Sequence, residues 1–310
     1  MTDELNDLNT NFDDLNAKYG LDGQLLIQPG AGGFPVLTVN NRFATAQISL
    51  YAAHLLSFRP DGEPHDLIFV SQAAQYKPGK AIRGGTPICW PWFGPDPAGL
   101  GRPNHGFARD RRWQIASTGT QPDGTTVVVL FLEPSPATEV LWPDAFRLEA
   151  RFVVGSTLTI SLTTHNRSDR PFTMTQALHT YFQIGDITQT SVQGLAGKTY
   201  IDKVDGNLSK DQIGEVAIAG EVDRIYQDPP SELVIHDGAL ARQIRITSTG
   251  NHSAVVWNPW AAGAAKMGDL EHEDYRRFVC VETTNAATDQ VILAPGEAFA
   301  LSTIYAIERD

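Results

Sequence analysis

Residues 146–163 read FRLEARFVVGSTLTISLT. Phe146, Leu148, Ala150 and Phe152 alternate with Arg147, Glu149 and Arg151; after a Gly-Ser break, Leu158, Ile160 and Leu162 alternate with Thr157, Thr159, Ser161 and Thr163. Side chains along a strand point to opposite faces with period two, so each run predicts a half-buried β-strand. The same reading extends outward to TTVVVLFLE, QIRITS, SAVVWN, FVCVE and FALSTIYAI. Turn signals separate these runs: QPDG, EPSP, NRSDRP, QDPPS and LAPGE. No fixed-period repeat and no low-complexity linker divides the chain, which argues against a propeller or solenoid. The prediction is an all-β fold: one large antiparallel β-sandwich over about residues 24–308, with long loops at 72–113 and 202–231.

Helical periodicity is concentrated at the start. Leu5, Leu8, Phe12, Leu15 and Tyr19 form one apolar stripe, Thr2 can cap it and Gly20 can end it. This predicts a short N-terminal helix over about residues 3–19, either packed on the sandwich or offered to a partner. A second helical turn is expected around GDLEHEDY.

Composition narrows the function. The chain has 310 residues, 42% of them apolar, enough for a sizeable core. Its formal net charge of −12 argues against nucleic acid or an anionic membrane as partner, since both need broad positive surfaces. A small anion is compatible, because it needs only a local arginine cluster. The two cysteines, Cys89 and Cys280, fit no zinc or CxxC spacing and read as reduced thiols. The acidic N-terminus lacks the pattern of a signal peptide, and no apolar run reaches membrane-spanning length. A soluble, cytoplasmic protein is expected, a monomer rather than an oligomer. No catalytic metal or cofactor is expected, for no HExxH, P-loop, Rossmann or GxSxG pattern occurs.

Four segments carry polar groups that a core does not need. Residues 82–95, IRGGTPICWPWFGP, hold Arg83 beside paired glycines. Such an arginine is either an anion clamp on a constrained loop or a surface residue at a turn. Trp90 and Trp92 of the same segment either fill core or stack on a ligand. Residues 103–113, PNHGFARDRRW, put His105 and Arg109 in the densest basic patch of an acidic chain, a phosphate site or a solvated loop. His179 lies in the strand-like ALHTYF, where a lone histidine is either a satisfied core residue or the neighbour of a carboxylate. Glu282 ends the apolar run of FVCVE; burying it unpaired is costly, so it is ion-paired or lines a cleft with a raised pKa.

In combination these segments resemble a known family. IRGGTPICWPWFG, NHGFAR, ALHTYF with GDI, GLAGKTYIDKV, CVETTN and LAPGE occur in the order seen in the hexose-6-phosphate mutarotases, the glucose-6-phosphate 1-epimerases of the aldose 1-epimerase superfamily. The resemblance covers about residues 20–307 and implies a galactose-mutarotase-like β-supersandwich. It further implies that His179 is the general acid, Glu282 the general base, and Arg83 and Arg109 the phosphate-binding pair. His105 and Asp223, the latter in EVDRIY, would contact sugar hydroxyls. Asn104 stands where some relatives carry glutamine; both amides can donate and accept. The tryptophans of CWPWFG depart from the smaller apolar residues of some relatives.

The chemistry suits these residue types. Mutarotation opens the pyranose ring and closes it on the other face of C1. A carboxylate and an imidazolium can exchange the protons without metal, nucleotide or covalent intermediate. The substrate expected is a phosphorylated hexose, glucose 6-phosphate first. Other readings are a mutarotase for free aldoses, a non-catalytic phosphosugar-binding protein on the same fold and, more remotely, a glycoside hydrolase using Glu282 and Asp223.

Overall fold

The strands Phe146–Val154 and Leu158–Asn166 pair antiparallel, Phe146 opposite Asn166 and Val154 opposite Leu158, in a computed structural model that describes residues 10–309. Burial alternates strictly along both, as their sequence pattern requires. They belong to a nine-stranded sheet. From edge to edge it runs Val216–Ala217, Thr190–Gln193, Glu232–Asp237, Arg242–Thr249, Ala298–Arg309, Leu158–Asn166, Phe146–Val154, Thr126–Leu132 and Gln114–Thr120.

A second sheet of eight strands faces it. Its main path is Leu208–Asp211, Thr199–Asp202, Val222–Gln227, Ser253–Asn258, Phe278–Asn285, Gln176–Leu178 and Ile88–Cys89, and Tyr181–Gln183 also pairs with Phe278–Asn285. Leu148, Ile160 and Leu301 of the first sheet share one core with Leu178, Val256 and Val281 of the second. Hydroxyl pairs cross the same interface: Ser248 to Thr283 at 2.8 Å and Thr180 to Tyr305 at 2.6 Å. A four-stranded meander, Leu25–Pro29 through His54–Pro60, adds Ile27, Leu37 and Ile48 to this core.

The strand Phe278–Asn285 departs from simple alternation, because every residue in it is buried. Val279 and Val281 face the core between the sheets, while Phe278 and Cys280 face away and pack with Phe69, Tyr181 and Leu270. Glu282 shares the outward face by parity. That face is covered by the loops on either side of Ile88–Cys89 and by the segment that precedes Phe278.

Two expectations change. The span 202–231 is not simply a loop, for it holds Leu208–Asp211, Val216–Ala217 and Val222–Gln227. The first of these is a largely exposed edge strand, so no buried face marks it in the sequence. The N-terminal helix does not run through 3–19: it spans Phe12–Tyr19, with Asn11 in extended conformation accepting from the Asp13 and Asp14 N–H groups as N-cap. Thr2, Leu5 and Leu8 lie outside the described residues. Phe12, Leu15 and Tyr19 pack on the main core, and Asn16 exchanges two 2.7 Å hydrogen bonds with the Ile27 backbone. Around GDLEHEDY, the helical turns are Trp260–Ala264, ahead of it, and Asp274–Arg276.

Cys89 and Cys280 are free and buried. No helix among the described residues is long and apolar enough to cross a membrane.

Candidate active site

The register of the eight-stranded sheet positions the site. Leu178 stands opposite Thr283 and Tyr181 opposite Cys280. Carried through the break between the two short strands, that register puts His179 opposite Glu282. Their side chains meet, with His179 Nε2 3.4 Å from Glu282 Oε1. On the next strands Val255 pairs with Glu282 and with Ile225, while Trp257 pairs with Cys280 and with Asp223. Asp223, Ile225, Val255, Trp257 and Glu282 therefore share one outward face.

The irregular loop 82–110 closes over this face. Gly84 and Gly85 have φ of 99° and 70°, where a side chain would be strained. A Cβ on Gly85 would also sit 2.0 Å from His54 Nε2. His54 is buried and donates to the Gly84 carbonyl at 2.8 Å, which fixes the turn that carries Arg83. Farther along, His105 has φ of 63°, a left-handed conformation costly for a non-glycine residue. It is held there by its N–H on the Gly94 carbonyl at 2.7 Å. The Gly94 N–H returns a bond to His105 Nδ1 at 3.2 Å. Nδ1 is thus an acceptor, and the ring proton resides on Nε2. Burial, then Arg109, Arg83 and Lys203, push the His105 pKa down to about 3, consistent with this neutral tautomer.

All seven residues singled out from the sequence line one cavity of about 360 Å³: Arg83, Asn104, His105, Arg109, His179, Asp223 and Glu282. Arg109 donates to the Asn104 carbonyl at 3.0 Å. Arg83 forms a two-pronged ion pair with Asp269, at 3.1 and 3.2 Å, and donates a third bond to Tyr181 Oη at 3.0 Å. The rest of the basic patch is used elsewhere: Arg102 pairs with Asp96 at 2.6 Å and Arg111 with Asp110 at 2.7 Å.

Burial controls the charges. It raises Glu282 well above the usual carboxylate range, with Asp223 adding and Arg109 opposing. It lowers His179 well below the usual imidazole value, with His105, Arg109 and Arg83 adding. Both shifts favour the neutral acid and imidazole over a carboxylate–imidazolium pair. Both forms hold the same number of protons. His179 Nδ1 and Glu282 Oε2 are buried without a hydrogen-bond partner among the described residues, leaving valences free for a ligand. Burial likewise raises Asp223 to about 6, against the pull of Lys203.

Sequence reading overlooked several wall residues: Tyr181, Trp257, Lys203, Phe93 and Met267. Tyr181 stacks on His179 with rings 5.1 Å apart, and Trp257 meets it edge-on at 5.8 Å. Period two from His179 marks Tyr181 as sharing its face; no local pattern marks Lys203. Trp90 and Trp92 are both core. They are 0% and 2% exposed, Trp90 donating to Thr164 Oγ1 and Trp92 to the Pro103 carbonyl. The aromatic wall of the cavity is Trp257, Phe93 and Tyr181 instead.

No group of three or more His, Cys, Asp or Glu side chains among the described residues is arranged to hold a metal ion.

Comparison with known proteins agrees with this architecture. Residues 35–306 match the aldose 1-epimerase family. A Salmonella typhimurium protein provisionally named glucose-6-phosphate 1-epimerase is 40% identical over 82% of this chain and 84% of its own length. An Escherichia coli protein with the same provisional name is 39% identical over 88% of this chain and 91% of its own. The crystal structure of a provisionally assigned mutarotase from Salmonella typhimurium superposes with a TM-score of 0.88 at 34% identity, covering 96% of this chain and 99% of that one. A galactose mutarotase related enzyme from Lactobacillus acidophilus shares the fold, with a TM-score of 0.71 at 12% identity over 88% of this chain and 97% of that one. By the extent of these matches, this chain belongs to the aldose 1-epimerase family.

Proposed function

We propose that this protein interconverts the α and β anomers of a hexose 6-phosphate, glucose 6-phosphate first among them. One observation carries the reading: a single cavity holds both an acid–base pair, His179 and Glu282, and two arginines, Arg83 and Arg109. The provisional names of the relatives support the same substrate.

In this reading Glu282 removes the anomeric proton while His179 delivers one to the ring oxygen. The C1–O5 bond breaks and C1 becomes an aldehyde. The step begins with carboxylate and imidazolium and ends with the neutral pair, so the pair neither gains nor loses a proton. A half-turn about C1–C2 and the reverse transfers close the ring on the other face. The low-dielectric surroundings of the pair favour the neutral form. His105, with its proton on Nε2, donates to a sugar oxygen; Asp223 and Asn104 bind hydroxyls. Arg83 and Arg109 take the phosphate, whose binding positions the ring without itself reacting.

A mutarotase for free aldoses is the second reading, favoured by Asp269 already occupying the Arg83 fork. Anomer-exchange NMR separates the two. Exchange of glucose 6-phosphate accelerated well beyond that of glucose supports the first; equal acceleration of both would support the second; no acceleration of any aldose would leave a sugar-binding protein. In the same reading the chain acts as a monomer in the cytoplasm, its sandwich and short helix forming one unit.

A further inference from the structure

We propose that Asp269 is a specificity-determining residue of the cleft: a resident anion on Arg83 that a substrate phosphate must displace, and that sets how strongly a phosphorylated hexose is preferred over a free one. The inference rests on the phosphosugar reading above.

Both carboxylate oxygens of Asp269 are on Arg83, Oδ1 with Nε at 3.1 Å and Oδ2 with Nη2 at 3.2 Å. This is the two-pronged geometry that a phosphate would itself adopt on a guanidinium. Arg83 does not depend on Asp269 for its orientation. Tyr181 Oη accepts from Nη1 at 3.0 Å, and the Arg83 carbonyl accepts from the Ser71 N–H at 3.1 Å. Asp269, in contrast, rides on the irregular connection between the helix Trp260–Ala264 and the turn Asp274–Arg276. It follows Gly268, around whose Cα there is open space. The two side chains are 26% and 23% exposed, so water can solvate the carboxylate once it leaves.

The cavities agree with a displaceable anion. A second cavity, also about 360 Å³, adjoins the catalytic one and shares Arg83, Arg109 and Tyr181 with it. Asp269 lines only this outer cavity, together with Lys80 and Gln75. The arginines form the common wall, with the sugar-binding groups on one side and Asp269 on the other. A phosphate reaching Arg83 exchanges one anion for another and gains mainly what Arg109 adds. A free hexose leaves the ion pair intact. Asp269 therefore weakens every ligand that needs the Arg83 fork and spares those that do not.

The test is calorimetric binding of glucose 6-phosphate, inorganic phosphate and glucose to the wild type, Asp269→Asn and Asp269→Ala, with thermal unfolding to verify the fold. Both variants are expected to bind the two phosphates roughly two- to fivefold tighter, the factor set by a partly exposed ion pair of good geometry. Glucose affinity is expected to change less than about twofold, since a residue off its contacts acts additively. In turnover the change falls on KM for the phosphosugar and not on KM for glucose. Weaker phosphate binding in both variants would overturn the proposal by making Asp269 an orienting group for Arg83; unchanged phosphate binding would overturn it too. A wild type that binds and turns over glucose as well as glucose 6-phosphate would instead overturn the phosphosugar reading, whatever the variants do.

Discussion

His179 faces Glu282 across two strands at a point where the ladder between them is broken, and their side chains stand 3.4 Å apart. On its other edge the His179 N–H donates to the Pro87 carbonyl at 3.0 Å, continuing the register that sets Leu178 opposite Ile88. The histidine is thereby tied to the loop that carries Arg83, and the carboxyl to the sheet that carries Asp223. In the proposed reaction, a pair held this way would keep its separation while the groups around it bind the rest of the substrate.

Removing either half of the pair should stop the chemistry without emptying the cleft. Glu282→Gln is expected to lose about 10²–10⁴ of the catalysed anomer-exchange rate. His179→Asn should lose a similar factor, and the double variant little more, because the two act as one unit. Exchange NMR measures the rate, and calorimetry should still detect glucose 6-phosphate. Undiminished exchange in Glu282→Gln would remove this residue from the mechanism.

The pH profile follows from the shared proton. Activity needs one proton on the pair. The acid limb comes from adding a second proton to His179, lowered well below 6.5, and the alkaline limb from removing the last one from Glu282, raised well above 4.5. Both shifts widen the active window, so kcat at saturating substrate should stay level over about pH 6–8 after subtraction of the spontaneous rate. An acid limb above pH 6.5 would contradict the low basicity of His179.

The same burial has a stability signature. The folded-state pKa of Glu282 is raised above the ordinary 4.5, so its contribution is fully present below pH 4.5 and is lost as pH rises toward the folded value. Glu282→Gln removes that loss. The variant should match wild type near pH 4.5 and exceed it near neutrality, a gain in stability at the cost of activity. Urea denaturation at the two pH values measures it; a variant less stable at both would count against a neutral buried carboxyl.

Arg109→Ala should weaken glucose 6-phosphate binding by about 1.5–3 kcal/mol, the worth of hydrogen bonds to a charged group, and Arg83→Ala by less, because Asp269 already occupies its fork. Glucose binding should move far less. Equal losses on both ligands would point to the arginines as hydroxyl contacts.

Gly106 supports His105 by lying flat against the Trp90–Pro91 peptide. Its φ is 69°, and a Cβ there would stand 1.9 Å from the Trp90 carbonyl oxygen. Gly106→Ala is therefore expected to destabilise the protein by about 2–4 kcal/mol, in the range of strained or overpacked sites. Chemical denaturation tests this, and the remaining folded fraction should bind sugar poorly because His105 is displaced.

Much of the fold is legible in the residues themselves. Alternation over Phe146–Thr163 determines two half-buried strands and, with the turn signals around it, an antiparallel sandwich. The paired glycines beside Arg83 and the polar ends of ALHTYF and FVCVE mark where regular structure yields to chemistry, and their order along the chain carries the family resemblance. The strand Leu208–Asp211 is not legible, since an exposed edge has no buried face to mark it. Trp90 and Trp92 give no decision between core and ligand, because both fates ask for the same large aromatic.

Local pattern determined the half-buried strands such as Phe146–Val154 and Leu158–Asn166; the tertiary structure decided which strands became neighbours. His179 and Glu282 share a row only because both lie on one sheet in matching register, and Arg83 meets Asp269 across 186 residues because two loops fold over the same face. Periodicity reaches a few residues, whereas these contacts depend on strand order and loop closure. For the same reason the charge states belong to the fold: a glutamate and a histidine acquire shifted pKa values only when packing removes the water around them.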